Sequence, residues 1–449
     1  MGDFFRSNGY NTYFKGKWHV SDADIFIPGT HNSLLSYNAL TGVEDTVNSS
    51  IYMNSNRLGG YGFDGWIGPE PAGSNAHNTG SSARGEVSGR DIIYSKEVCD
   101  LINDLDNVSQ NKPWVIITSF VNPHDIAYYG EVSNKLPQFN FEIDETIPYV
   151  ERAPTANEDL TTKPKAQQSY KQIFQKAFQP TIDNDKYRKL YYSLQLQVDR
   201  EICKVLDSIV KSKFYEDTII IFTSDHGELL GAHGMFQKFY NAYEETLHVP
   251  FIIHNPKIFP KGFYTNLLTS HVDILPTMLG LANINQEKAL KTLKKDHKYA
   301  QPLVGRDLST LIFDRKKLNQ EPVYFMTSDD ITKGLNQVNF FGEKYKSVVN
   351  PNNIESIVVY LDTGEHGKWE KWKLSRYYDT NLKYNDFIEN IESNKEEYEM
   401  YNITRDPLET LNLANDIDQD FELKKIKNKL EEILKQQSQK KRKYPVNKG

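Results

Sequence analysis

Thr218-Ile-Ile-Ile-Phe-Thr-Ser-Asp-His-Gly-Glu228 is a short run of β-branched and aromatic residues that stops abruptly on a polar cluster. A strand that is apolar at every position is one covered on both faces, the habit of parallel sheets in α/β proteins. In open sheets of that kind ligand sites gather at the carboxyl ends of the strands, so Asp225 and His226 are expected to face such a crevice. An adjacent carboxylate and imidazole can ligate one divalent ion if Gly227 lets the backbone turn sharply. The plainer alternative is that Asp225 caps a following helix and His226 is merely exposed. Residues 223–228 alone do not separate the two readings.

Working outward, Trp114–Val121 and Val249–Ile253 repeat the continuous apolar pattern. Between such strands lie helical spacings: Ile92, Val98, Leu101, Ile102 and Leu105 in one stretch, and Leu190, Leu194, Val198, Ile202, Leu206 and Ile209 in another. His271–Leu281 reads as a further helix start. The alternation predicts a largely parallel α/β sheet. Gly42–Arg90, rich in Gly, Asn and Ser, and the polar Phe139–Lys176 fit no such unit and read as long surface excursions lining the substrate side. After residue 312 the pattern changes to short strands of antiparallel character, at Val323–Thr327, Tyr345–Val349 and Ile357–Leu361. A helix follows over Phe421–Leu434. The expected division is therefore 1–312, 313–434 and a basic, solvated tail over 435–449.

Composition narrows the classes. The 449 residues carry a net charge of −7 and two cysteines, Cys99 and Cys203. Two thiols do not make a disulfide scaffold or a Cys-rich zinc module. No apolar run approaches the ~18 residues of a membrane span, and an acidic total argues against nucleic acid as a partner.

Three further spots could carry chemistry. Lys238 lies thirteen residues beyond Asp225 and could return to the same loop as a point charge for an anion, although most lysines are surface solubilisers. Lys17 and His19, two apart, would share a face of an extended segment. His124 follows a strand end through Asn122-Pro123, where a lone histidine is more often structural.

The ordered set of motifs resembles the sulfatase family of the alkaline-phosphatase superfamily over nearly the full length. The matching segments are GYNTYFKGKWHVSDAD (9–24), SFVNPHD (119–125), YYSLQLQVDREICKVLD (191–207) and TSDHGELLGAHGMFQKFYNAYEETLHVPFIIHNP (223–256). HVDILPTMLGLA (271–282), GRDLSTLI (305–312) and YNITRDPLETLNLA (401–414) follow in family order. The pattern is most like the choline-sulfatase and phosphonate monoester hydrolase branch.

That resemblance implies an alkaline-phosphatase-like three-layer sandwich with a smaller C-terminal antiparallel subdomain. It implies that Asp225 and His226 are half of a divalent metal site, with Ca²⁺ or Mn²⁺ favoured over Mg²⁺ or Zn²⁺. Lys17, His124 and Lys238 would hold the nonbridging oxygens of a sulfate or phosphonate ester, and His19 would serve the nucleophile. The family's nucleophile is a formylglycine made within Cys/Ser-x-Pro-x-Arg, and neither Cys99 nor Cys203 stands in that motif. The family's first strand and its acidic pair are also unmatched. The expectation is thus a sulfuric ester hydrolase that lacks an N-terminal piece, inactive on its own, and open to a complementing fragment or to homo-oligomerisation. Two alternatives are kept: a phosphonate monoester or phosphodiester hydrolase, and a non-catalytic anion-binding protein. Localisation stays open.

Overall fold

In the computed structural model, the described residues are 1–449 without 72–74, 82–88, 110–111, 315–317, 335, 340, 364–366, 380–395, 416, 418–419 and 444–449. The strands are β1 (Asn11–Gly16), β2 (Trp114–Ser119), β3 (Ile220–Thr223), β4 (Phe251–His254), β5 (Val323–Thr327), β6 (Asn353–Asp362), β7 (Trp369–Tyr378) and β8 (Glu397–Asn402). The helices are α1 (Gly2–Arg6), α2 (Thr46–Ser55), α3 (Arg90–Asn107), α4 (Lys165–Ala177), α5 (Asp185–Lys211), α6 (Glu244–Leu247), α7 (Ile274–Leu281), α8 (Gln286–Leu293), α9 (Ser309–Asp314) and α10 (Phe421–Lys441).

The expected helices form because their apolar residues recur on one face. Tyr94, Val98, Ile102 and Leu105 are the buried stripe of α3, and Tyr187, Leu190, Leu194, Val198 and Ile209 that of α5. The Asn184 side chain accepts from Tyr187 N–H and so caps the start of α5. Val98, Ile102 and Ile209 then meet Trp114 and Ile116 of β2 and Ile220 of β3 in one cluster. The α3–α5 pair is therefore the common floor on which both strands lie.

The sheet itself departs from expectation. β1 and β2 are parallel, in register from Asn11 opposite Trp114 to Gly16 opposite Ser119. β3 and β4 are antiparallel, because the chain leaves the carboxyl end of β3, builds a loop there, and re-enters β4 from that same end. Among the described residues β2 and β3 are not hydrogen-bonded to each other, so each keeps a free edge. Their apolar residues are correspondingly half-exposed rather than covered on both faces, and Phe222 and Ile252 reach 39 % and 56 % exposure.

The two presumed excursions carry cores of their own. Tyr52, Leu58, Phe63 and Trp66 bury against Phe14 of β1 and Ala23. Tyr170 and Phe174 on α4 enter the main cluster with Leu194, Phe236, Tyr240 and Tyr377. Glycine and asparagine in 42–90 build tight turns around those aromatic anchors, so a polar composition did not mean a surface loop.

The C-terminal part is a four-stranded antiparallel sheet in the order β5-β6-β7-β8, with α10 on one face. Two strands foreseen are present, at 323–327 and within 353–362. Tyr345–Val349 is a loop, and β7 and β8 carry too many charges to read as strands. Helix α10 continues to Lys441, and Arg442 donates to Glu355 Oε1 at 2.8 Å, so the expected tail is packed up to that point. No helix among the described residues is long and apolar enough to cross a membrane.

Buried charge joins this sheet to the N-terminal part. Lys373 Nζ on β7 lies 2.9 Å from both Glu244 Oε1 and Glu409 Oε1 and donates to Ala242 O at 2.7 Å. Burial would raise the Glu244 carboxyl, but Lys373 and Lys371 outweigh it and hold it down to about 2. Replacing Lys373 by Met should therefore leave the Glu409 carboxyl without its counter-ion and Glu244 with Lys371 alone, 3.1 Å from its Oε2. The expected cost is about 3–5 kcal/mol in urea unfolding; a loss below about 1 kcal/mol would show that water takes over the role.

Candidate anion-binding site

Each expected residue sits just beyond the carboxyl end of β1, β2 or β3, or on the loop that follows β3. At the end of β1, Gly16 has φ +105°, and a Cβ there would come within 2.0 Å of Ser119 O. Only glycine lets the strand close on β2 while Lys17 N–H bonds Ser119 O at 2.9 Å. Trp18 turns inward, its ring edge-on to Phe14 and Phe63 and its Nε1 donating to Ser21 Oγ at 2.9 Å. Lys17 and His19 do not share a face of an extended strand as expected, because His19 adopts φ +49° and the chain turns there. Glu70 Oε1 accepts the N–H groups of Trp18 and His19, at 3.0 Å each.

Beyond β2, two buried carboxyls shape the turn that carries His124. Asp91 accepts from Val121 N–H and Asn122 N–H at 2.6 and 3.0 Å. Asp125 accepts from Gly80 and Ser81 N–H at 3.1 and 2.6 Å. Burial pushes Asp91 up to about 6 and Asp125 up to about 7, the amide donors only partly compensating. The His124 ring is largely buried, and among the described residues its Nδ1 has no hydrogen-bond partner. Burial first, then the charges of Lys17 and Lys238, push it down to about 3, so His124 is neutral at physiological pH.

Beyond β3, no helix follows Asp225, which removes the capping alternative. Its Oδ1 accepts from His226 N–H at 3.0 Å. His226 Nδ1 faces Gly227 O at 2.8 Å; a carbonyl only accepts, so Nδ1 carries the proton and Nε2 keeps its lone pair, 3.4 Å from Asp225 Oδ2. Gly227 is required by close approach rather than by a sharp turn, since a Cβ would fall 1.9 Å from Glu245 O, and its N–H bonds Thr246 O.

Glu228 then accepts from Leu230 and Gln237 N–H at 3.1 and 2.7 Å, closing the loop that returns Lys238 to the site. Among the described residues no carboxylate is within 4 Å of the Lys238 ammonium, which lies 5.2 Å over the Phe239 ring. Burial and the neighbouring Lys17 lower its pKa, with Asp225 and Glu228 opposing. His19 is likewise lowered, by burial, then Lys17 and Lys238, against Asp225. Lys17, His19, His124, Asp225, His226 and Lys238 thus each lie within electrostatic reach of others of the six.

Asp225 and His226 fit a divalent cation in kind: a carboxylate, and an imidazole whose Nε2 is freed by the bond its Nδ1 makes. They do not fit in number, because such ions take about six donors. Among the described residues no group of three or more His, Cys, Asp or Glu side chains could hold an ion. No step is therefore derived through a metal. The thiols lie elsewhere: Cys99 on α3 contacts Lys204 O of α5 at 3.6 Å, and Cys203 is exposed on α5.

Glu70, Asp91, Asp125 and Glu228 were not foreseen as parts of the site. Asp125 gives a pH signature. An aspartate raised from 3.8 to about 7 on folding takes up protons, so its contribution to stability is lost as pH rises through about 7. Between pH 5.5 and 8.0 the protein should lose about 2 kcal/mol through this group, and Asp125→Asn should flatten that slope in denaturant titrations. Equal slopes for the two proteins would mean that Asp125 ionises normally.

A family model described as Sulfatase matches residues 1–284. The choline-sulfatase of Rhizobium meliloti (strain 1021) is 26% identical over 299 residues, covering 63% of this chain and 52% of the relative. The chain spans about half the length of the curated relatives it matches over its greater part. Among solved structures, a 2-O GAG sulfatase superposes with a TM-score of 0.57 at 18% identity, over 97% of this chain and 74% of that one. The phosphonate monoester hydrolase of Agrobacterium radiobacter gives 0.52 at 17%, over 97% and 79%. At such identities the superpositions speak to fold, an α/β architecture with a C-terminal antiparallel sheet. The family match covers well over half of the residues and includes the ends of β1, β2 and β3 with Lys17, His124 and Asp225: the chain belongs to the sulfatase family.

Proposed function

We propose that this chain binds the tetrahedral anionic head of a small sulfuric ester and forms the body of a metal-dependent sulfatase. One observation carries the reading. Two ammonium groups and two imidazoles converge where three strands end, and Lys238 is kept partly desolvated with no carboxylate beside it among the described residues. A lysine so placed is costly unless an anion completes it. Lys17, Lys238 and His124 would hold nonbridging oxygens, His124 as a neutral N–H donor. His19, whose pKa burial and then the same cations lower, would take or return a proton near the ester oxygen. Asp225 and His226 would supply two of the donors of a divalent-ion site, Ca²⁺ or Mn²⁺ before Mg²⁺ or Zn²⁺, and the remaining donors would have to come from elsewhere. No residue is assigned the covalent step that a formylglycine performs in the family.

The clamp selects a tetrahedral oxyanion, not sulfur over phosphorus, so a phosphonate or phosphate ester is the second reading. The branch likeness of the 223–256 motif favours keeping it.

Titration calorimetry with sulfate tests the site. Wild type should bind sulfate, and Lys238→Ala should weaken binding about tenfold, the scale of one charge-assisted contact. Because the Lys238 pKa is lowered, affinity should fall at a lower pH than for an ordinary lysine, and the variant should lose that dependence. An unchanged affinity in the variant would remove Lys238 from the site. Turnover of paired aryl sulfate and phenylphosphonate esters separates the two ester readings, and binding without turnover of either identifies an anion-binding protein.

A further inference from the structure

The turn at Trp18–His19 has an unusual occupant. Two successive backbone N–H groups, with the second residue in the left-handed region, form a small concavity that ordinarily attracts an anion. Here the anion is supplied by the chain itself, because Glu70 Oε1 accepts both N–H groups at 3.0 Å from 51 and 52 residues away. Glu70 is in turn fixed at its backbone. Its N–H donates to Asp24 Oδ1 at 2.8 Å, and its carbonyl accepts from Asn78 Nδ2 at 2.7 Å. Its second oxygen is buried and, among the described residues, has no hydrogen-bond partner. Burial raises the Glu70 carboxyl while the two amides pull it back, so the amides are what make this carboxylate tenable.

The residues flanking Trp18 are Lys17 and His19. With the Trp18 ring locked among Phe14, Tyr61 and Phe63, the rotation of the Trp18–His19 peptide decides where those two side chains emerge. Left to solvent, a left-handed histidine costs on the order of 1 kcal/mol and would relax.

We propose that Glu70 is a positioning residue for the anion clamp: by filling the Trp18–His19 amide concavity it holds Lys17 and His19 in their binding directions. It also joins the 42–90 segment mechanically to the clamp. This rests on the anion-binding reading above.

The test uses the full chain and three readouts: hydrogen exchange of the Trp18 and His19 amides, sulfate affinity by calorimetry, and thermal midpoint. Glu70→Ala should deprotect both amides at least tenfold and weaken sulfate binding at least tenfold. Glu70→Gln, whose amide oxygen can still accept both N–H groups, should restore both to within about threefold of wild type. Lys238→Ala should weaken sulfate binding while leaving the amides protected. If Glu70→Ala folds poorly, Asn78→Ala, which loosens Glu70 from behind, should shift protection and affinity in the same direction. Deprotected amides with wild-type sulfate affinity would overturn the positioning role alone. A Gln variant that lowers the thermal midpoint and affinity as much as Ala would overturn it too, pointing to a merely structural carboxylate. Absence of sulfate binding in wild type would overturn the functional reading and this role with it.

Discussion

The buried ammonium of Lys373 is the constraint on which the arrangement of the site depends. Three strands end near one another, but their loops are long and polar, and nothing in the strands dictates where the loops go. Lys373 fixes one of them. By holding Glu244 and, through Glu409, the Glu244 N–H, it anchors the segment that runs from Lys238 to β4 onto the C-terminal sheet. The next residue, Glu245, lays its carbonyl against Gly227, so the turn bearing Asp225 and His226 is backed from the same anchor. Lys163 extends the grip, reaching Tyr401 OH at 2.7 Å and Glu158 at 3.1 Å, and Glu158 meets the buried His233 in the loop before Lys238. Among the described residues the C-terminal sheet contributes none of the residues of the proposed clamp, and yet it backs the loop that carries Lys238.

Much of this was legible in the sequence because it repeats with a period. The helices over 90–107 and 185–211 follow from their apolar spacing, and the strands at 114–119 and 220–223 from their β-branched runs. Direction was not legible: β3 and β4 read like strands of a parallel sheet, but which end the chain re-enters from depends on where the intervening loop docks. Charge hid β7, whose Lys373 and Glu370 look solvent-facing until their buried partners on distant segments are known.

The site divides in the same way. His124, Asp225 and His226 could be named because each follows a strand-like run at short range, and Lys17, His19 and Lys238 because they stand in motifs whose order a family shares. Glu70, Asp91, Asp125 and Glu228 could not, since their partners are backbone amides, which every residue possesses and no motif records. For Glu70 and for the Gly80 and Ser81 contacts of Asp125, those amides are also tens of residues away. A carboxylate that organises a loop looks, in one dimension, like any other acidic residue.

The free edges of β2 and β3 have a directional consequence. Among the described residues β2, over six residues, and β3, over four, are not paired with each other, above a floor already laid by α3 and α5. Because β1 and β2 both run toward His124 and Lys17, a strand added to β2 in their sense would also end on the side where those residues lie.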